Sequence, residues 1–359
     1  MVVPPSYSTG SSNQSQAAAQ AEARAQREED GGTEADDSPV VERKGRLYLA
    51  KLNTFDELDR DERQGRIDLS SKMSKGSQIL AVADSKGKVT LNKMVNGQLS
   101  TTDVIRCANE DTLCLSLDWS NRGSLNSDSE SIAVSLSDGS LCTLDPSPTN
   151  YKVTRRWHAH DFEPWIAAYD CWSPNIVWSG GDDLKLKKWD LRMIGCNVQG
   201  RDDDDVDREV TPVAVNKRFD GGVTSIQSHP TREHVLAVGS YDAQVRIFDS
   251  RKLTSPVSSF DAGGGIWRLK WHNVQSERLL VAAMHDGFKV IDVPWLSNST
   301  TSVSLESGTG QDIELVTRFD GHESLAYGAD WSHGLKDRQG RDVITSCSFY
   351  DHLMHVWSA

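Results

Sequence analysis

Seven short strand-like segments with a common pattern recur along this chain, and their repetition limits the fold more than any other feature. Each is a run of alternating apolar and polar residues that ends at a turn or loop. A second apolar run precedes most of them and a third often precedes that one, which gives a repeat of about 40 to 60 residues. The sequence has no long amphipathic helix between the runs, so a parallel βαβ sheet is not expected. The seven segments are GRLYLAKL, GKVTLNKM, GSLCTLD, LKLKKWDLR, AQVRIFDSR, GFKVIDV and LMHVWSA.

Successive units of three or four short strands predict an all-β fold, a β-propeller. Several units resemble WD40 repeats, since Trp189-Asp190 and Phe248-Asp249 close third strands and Gly321-His322 opens the last repeat. In that family a turn Asp, a His, a strand Ser or Thr and the Trp form a buried hydrogen-bonded network. The resemblance implies such structural roles for Asp183, Trp189, Asp242, His322, Asp351 and Trp357.

Two regions are predicted. Residues 1–43 are rich in Ser, Gln, Ala, Glu and Asp and cannot bury enough apolar surface to offset their ordering entropy, so we expect disorder there. Residues 44–359 are predicted to form a seven-bladed WD40-type β-propeller with an incomplete first blade. The last repeat ends at its third strand, so ring closure would need an outer strand from the N-terminal region, where only Met1-Val2-Val3 is apolar.

The charge balance narrows the classes of partner. Asp and Glu outnumber Lys and Arg by 52 to 39, giving a net charge of −13, which disfavours nucleic acid and anionic membranes and suits a basic protein. The sequence carries neither a transmembrane-length apolar run nor a signal peptide, so a cytoplasmic protein is expected. Its six cysteines form no C-x-x-C pair, so neither a metal site nor a disulfide framework is predicted.

Several stretches exceed what WD40 geometry requires, and they resemble the diphthine methylesterase family, often called diphthine methyltransferase. The resemblance is strong over residues 155–359 and weak before them. It implies hydrolysis of the methyl ester on diphthine, a modified histidine of translation elongation factor 2, which would be the partner. No cofactor and a monomer are expected. The stretches include HAHDFEPWIAAYDCW, GGVTSIQSHPTREHVLAVGSYD, GGGIWRLKWH, SLAYGADWS and TSCSFYDHLMHVW.

Ester hydrolysis requires a nucleophile or activated water, a base and oxyanion stabilisation. The sequence contains neither a G-x-S-x-G elbow nor an H-E-x-x-H helix, so the candidates come from residues that the propeller leaves unexplained. His352 lies beside the turn Asp of the last blade and could act as a base, with Ser348 or water as the nucleophile. His285 occupies the same turn one blade earlier. The alternative for both histidines is an ordinary turn residue.

The substrate carries a quaternary trimethylammonium group beside its ester, and aromatic faces and carboxylates bind such cations. Tyr241 and Asp182 occupy turns equivalent to that of His285, so we expect these turns to line one face of the ring. Inner strands line the channel of a propeller, and aromatic residues begin several of them; ordinary packing between blades is the alternative reading. The predicted substrate-binding residues are Glu163, Trp165, Asp182, Tyr241, Trp267, Tyr327 and Tyr350.

A second hypothesis stays open, in which the chain is a non-catalytic WD40 scaffold for complex assembly or trafficking, the commoner use of this fold. Methyl transfer in the forward direction is disfavoured, because the sequence has no glycine-rich unit for S-adenosylmethionine.

Overall fold

Six antiparallel sheets follow one another along the chain in the computed structural model of this protein. The structure describes residues 79–95, 98–120, 131–148, 150–195, 210–297, 313–348, 350–351 and 353–359. All of them belong to the second of two units into which the chain divides, Leu49–Ala359. Strands that are neighbours in the sequence are hydrogen-bonded neighbours in every sheet, so each sheet is a meander.

The first three sheets span residues 79–216. Sheet 1 contains β1 (Ile79–Ala83), β2 (Lys88–Val95) and β3 (Gln98–Arg106). Sheet 2 contains β4 (Cys114–Trp119), β5 (Ile132–Leu136), β6 (Ser140–Pro146) and β7 (Tyr151–His158). Sheet 3 contains β8 (Ile166–Asp170), β9 (Ser173–Gly180), β10 (Leu186–Asp190) and β11 (Ala214–Asn216).

The remaining three sheets reach the C-terminus. Sheet 4 contains β12 (Val223–Ser228), β13 (Val235–Ser240), β14 (Gln244–Asp249) and β15 (Ser258–Asp261). Sheet 5 contains β16 (Ile266–Trp271), β17 (Arg278–Ala283), β18 (Phe288–Asp292) and β19 (Glu314–Phe319). Sheet 6 contains β20 (Ala326–Lys336), β21 (Asp342–Ser348) and β22 (Met354–Ser358). A short 3-10 turn, Pro294–Leu296, is the only helical element in the described residues.

The second strands of sheets 2 and 4 are buried on both faces, which explains why they read as continuous apolar runs. Every residue of β5 and of β13 is buried. This pattern arises because each of the sheets 2 to 5 is covered by a neighbouring sheet on either face. Adjacent sheets approach each other closely. At Gly180 of sheet 3, an added Cβ atom would come within 2.3 Å of Val223 Cγ1 in sheet 4.

Hydrogen bonds join the first strands of successive sheets and fix their order. The Ser116 hydroxyl of β4 accepts from the Ala167 amide of β8 at 2.9 Å. The Ser225 hydroxyl of β12 accepts from the Leu269 amide of β16 at 3.0 Å. The indole of Trp331 in β20 donates to the Lys270 carbonyl of β16 at 2.9 Å. Radially adjacent meanders of this kind make a β-propeller.

The all-β propeller prediction is confirmed, whereas the predicted number of seven blades is wrong for the described chain, which has six sheets. Six of the seven predicted third strands correspond to β2, β6, β10, β14, β18 and β22. The remaining one, residues 45–52, lies outside the described residues, as does the segment 1–43. Within the part of the chain that the structure describes, no helix has the length and apolarity to cross a membrane.

Candidate functional site

A buried polar network fixes the turn between β9 and β10. His160 Nδ1 lies 2.8 Å from Asp183 Oδ1, and His160 Nε2 lies 2.7 Å from Ser179 Oγ. The Trp189 indole donates to the same Ser179 oxygen at 2.8 Å. Burial lowers the pKa of His160, while the paired Asp183 acts in the opposite direction. The network is completely satisfied, which is the condition for a buried polar cluster to stabilise a fold.

Sheet 6 contains a variant of this network. His322 Nε2 lies 2.9 Å from Ser346 Oγ, and the Trp357 indole donates to that oxygen at 3.2 Å. His322 Nδ1 meets the Ser348 hydroxyl at 2.7 Å, and this hydroxyl donates to Asp351. Ser348, the predicted alternative to water as nucleophile, therefore lies between the histidine and the turn carboxylate.

Sheets 4 and 5 keep the turn carboxylate but pair it with a cation. Asp242 accepts two hydrogen bonds from the Arg246 guanidinium, at 2.9 and 2.8 Å. Asp286 lies 2.8 Å from the buried Lys289 ammonium. In sheets 4 and 5 an ion pair thus anchors the turn in place of the histidine network.

The residue before each anchored Asp lies beside the start of an inner strand. The Asp182 amide donates to the Glu163 carbonyl at 3.0 Å, and the Tyr241 amide donates to the Gly222 carbonyl at 2.8 Å. The amide of Met284, just before His285, donates to the Gly265 carbonyl at 2.8 Å. These turns and the loops that enter the inner strands therefore share one face of the propeller.

A β-bulge occupies the second position of four inner strands on this face. In β16, Ile266 pairs with Ala283 and Arg268 pairs with Ala282, so Trp267 has no cross-strand partner. In β20, Tyr327 is skipped in the same way. Leu115 of β4 and Thr224 of β12 are the other two. Bulges redirect a side chain and are common near functional sites.

The redirected rings form a continuous aromatic row. The ring centroids of Trp267 and Tyr327 are 5.3 Å apart with an interplanar angle of 83°. On its other side, Trp267 lies 5.8 Å from Trp165, which immediately precedes β8. All three rings are half-buried, so their remaining surface is open to solvent. We call Trp165, Trp267 and Tyr327 the aromatic row.

Polar groups terminate the row at both ends. At one end the Trp165 indole donates to Asp182 Oδ1 at 2.8 Å, and this carboxylate is exposed. At the other end Tyr327 lies near Tyr350. Burial raises the pKa of Tyr327, and the nearby hydroxyls of Tyr350 and Tyr241 act in the same direction. The row therefore runs from a negative group to neutral hydroxyl groups.

The other predicted residues stand apart from these contacts. Glu163 contributes its carbonyl to the Asp182 turn. His285 is exposed and lines a cavity of about 620 Å³ together with Asp286, Arg318, Asp320 and His322. His352 lies outside the described residues. Within the described ranges no group of three or more His, Cys, Asp or Glu side chains could hold a metal ion.

Two residues that shape these contacts were not predicted from the sequence. His160 completes the network of sheet 3, and its signal was the HAHD stretch, which stands where Gly321-His322 stands in the last repeat. Thr224 has no aromatic ring but lies in the inner strand between those of Trp165 and Trp267. Its buried hydroxyl donates to the Ile266 carbonyl, so a small side chain at this bulge leaves room for the two indoles to meet.

The fold has counterparts among solved structures. A chain of the mitotic checkpoint complex crystal structure superposes with a TM-score of 0.57 at 15% sequence identity, covering 82% of this chain and 77% of that chain. This similarity establishes the fold alone. No family model matches the chain.

Curated relatives are more informative. The chain is 33% identical over 320 residues to the diphthine methyltransferase of Mus musculus, covering 84% of this chain and 62% of that protein. It is 33% identical over 319 residues to the diphthine methyltransferase of Homo sapiens, covering 84% and 64%. It is 38% identical over 289 residues to the diphthine methyltransferase homolog of Dictyostelium discoideum, covering 78% of this chain and 72% of that protein. The chain belongs to the diphthine methyltransferase family.

Proposed function

We propose that this chain removes the methyl group of methylated diphthine by hydrolysing its ester on translation elongation factor 2. By family membership it is an enzyme of diphthamide biosynthesis. The observation that carries the proposal is the aromatic row with Asp182 at its end, because this arrangement matches the trimethylammonium group beside the ester.

The row has the chemistry of a quaternary ammonium site. Such a cation has no N–H to donate, so it is held by ring faces and by charge rather than by hydrogen bonds. Trp165 and Trp267 are 5.8 Å apart, and their half-buried rings leave surface for a cation. Asp182 is held against Trp165 by the indole hydrogen bond, so its negative charge is fixed beside the rings.

The overall charge supports a protein substrate with a basic surface. The chain carries a net charge of −13. A Phe-Asp pair also precedes the inner strands of sheets 4, 5 and 6, and its carboxylate is exposed each time, at Asp220, Asp261 and Asp320. Complementary charge of this kind accelerates encounter more than it strengthens binding.

A water oxygen attacks the ester carbonyl carbon, and the bond from that carbon to the methoxy oxygen breaks. Methanol leaves with one of the water protons, and the other proton is released from the new carboxylic acid, which remains as a carboxylate. His285, His352 and Ser348 stay predictions for base and nucleophile. The cytoplasmic site of action and the monomeric state are part of the proposal, with the elongation factor as partner.

The first test is the mass of the modified histidine in elongation factor 2 from cells that lack this gene. Retention of one methyl group without the amide, cured by this chain, is the expected result. Normal diphthamide in the deletion strain would refute the hydrolase and leave the scaffold hypothesis. Incubation with labelled S-adenosylmethionine separates the two reaction directions, because hydrolysis releases methanol and incorporates no label.

A further inference from the structure

Tyr327 differs from the two indoles of the aromatic row because it carries a hydroxyl group where they carry none. Its ring meets that of Trp267 edge to face with the ring centroids 5.3 Å apart, and the nearby Tyr350 contributes to the raised pKa of its hydroxyl. The β-bulge at Tyr327 aims this side chain to the same face as Trp267. A hydrogen-bond donor thus lies next to a site that suits a quaternary ammonium group.

The geometry of the substrate makes this proximity useful. In a trimethylammonium ester both groups are attached to one carbon, so the nitrogen and the carbonyl carbon are about 2.5 Å apart. A nitrogen seated against Trp267 therefore places the carbonyl within one ring spacing, 5.3 Å in this row. The ester lies close to whichever polar group ends the row on that side.

The two ends of the row favour one orientation. Asp182 at the Trp165 end is a carboxylate, which attracts the ammonium and repels the negative oxygen that develops during ester hydrolysis. At the opposite end, a tyrosine hydroxyl can donate a hydrogen bond to that oxygen. The ammonium therefore lies against Trp267 on the side that faces Trp165 and Asp182, with the carbonyl turned towards Tyr327.

We infer that the Tyr327 hydroxyl donates a hydrogen bond to the ester carbonyl oxygen and stabilises the oxyanion of the tetrahedral intermediate. This inference rests on the proposed function and names the residue that stabilises the negative charge on the ester oxygen. Water adds to the carbonyl carbon, the carbonyl electron pair moves onto oxygen, and Tyr327 holds that oxygen without transferring its proton. Collapse restores the carbonyl and expels methoxide, which leaves as methanol with the proton of the attacking water.

Tyr350 supports the donor. Tyr327 is partly buried, and burial raises the pKa of its hydroxyl, so the group stays protonated in neutral solution. Tyr350 is 65% exposed and can reorient when Tyr327 turns to the substrate. Donation from Tyr350 to the Tyr327 oxygen would then strengthen the Tyr327 O–H as a donor.

The test uses the complete chain with elongation factor 2 purified from cells that lack the gene, and mass spectrometry follows loss of the methyl group. Tyr327→Phe should lower kcat by about 10²- to 10³-fold, the usual effect of losing one oxyanion donor, with little change in KM. Tyr350→Phe should lower kcat by about three- to tenfold, as for a neutral hydrogen bond. Tyr151→Phe in sheet 2 is the matched control and should retain full activity.

A binding measurement shows whether the Tyr327→Phe variant is folded and keeps an intact aromatic row. Tetramethylammonium should quench tryptophan fluorescence equally in wild type and in Tyr327→Phe, because the rings are unchanged. A Tyr327→Phe variant that retains wild-type kcat, or that changes only KM, would overturn the donor role while the hydrolase proposal stands. A wild-type chain that removes no methyl group refutes the proposed function, and the donor role falls with it.

Discussion

The ring centroids of Trp165 and Trp267 lie 5.8 Å apart, although the two residues belong to sheets 3 and 5 and the whole of sheet 4 lies between these sheets. The contact is possible because Thr224, at the bulge of the intervening inner strand, is small and turns its hydroxyl to the Ile266 carbonyl. The aromatic row is thereby assembled from side chains of sheets 3, 5 and 6. Its parts are testable separately.

Replacing Trp267 with Ala removes the central ring of the row. Loss of one cation–π contact of about 0.5–2 kcal/mol should raise KM by about 2- to 30-fold while kcat changes less. Steady-state kinetics with methylated elongation factor 2 measures both parameters. Trp172→Ala, at the opposite end of β8, is the control and should leave KM unchanged. If Trp267→Ala instead yields insoluble protein, the ring is a core residue.

Asp182→Asn keeps an acceptor for the Trp165 indole but removes the negative charge. Because the carboxylate is exposed, we expect KM to rise by only about two- to fivefold, and less at high salt. Betaine methyl ester and its uncharged carbon analogue, methyl 3,3-dimethylbutanoate, provide the comparison. Only the charged ester should respond to the substitution, and an equal response of both esters would contradict a role in charge recognition.

Ser348→Ala separates structure from catalysis. The hydroxyl donates to Asp351 and meets His322 Nδ1, so its removal should lower the melting temperature of the protein. We expect the folded variant to keep its rate of methyl removal, because water is the attacking group in the proposed reaction. Loss of a serine nucleophile would instead lower the rate by about 10⁴- to 10⁶-fold. Kinetics below the melting transition distinguish the two outcomes. A collapse of kcat in folded Ser348→Ala would identify Ser348 as the nucleophile.

His229 should make the free energy of unfolding depend on pH. Burial lowers its pKa from 6.5 to about 4, and the positive charge of Arg232 adds to the effect. Its Nε2 lies 2.6 Å from the Ser276 carbonyl, and its Nδ1 accepts from the Thr231 and Arg232 amides, which fits the neutral ring alone.

The folded pKa of His229 lies below the unfolded value, so the unfolded chain binds the proton first as pH falls. The stabilisation is complete above pH 6.5 and is lost as pH falls towards 4, with about 2 kcal/mol lost between about pH 7 and pH 5. Urea unfolding at these two values should show a smaller loss for His229→Gln than for wild type. Equal losses in both proteins would show that other groups cause the dependence.

The strand order of the propeller could be predicted because second strands such as β13 are buried on both faces and read as uninterrupted apolar runs. The spacing of Asp183 from Trp189 likewise predicts a buried network. The bulges at Trp267 and Tyr327 leave no mark in the alternation of residues, since they depend on pairing with a separate strand. The contact of Trp165 with Trp267 depends on Thr224, a residue whose sequence neighbours give no reason to single it out.

The four bulges carry a wider consequence. The skipped residue has no cross-strand partner, so its replacement leaves the hydrogen-bond register of the sheet intact, as Leu115, Thr224, Trp267 and Tyr327 already demonstrate within one chain. Each of these four inner strands thus offers one position where the side chain can change without a change in strand register. A propeller with such positions can acquire new ligand preferences one residue at a time, and this site is a natural starting point for redesigning them.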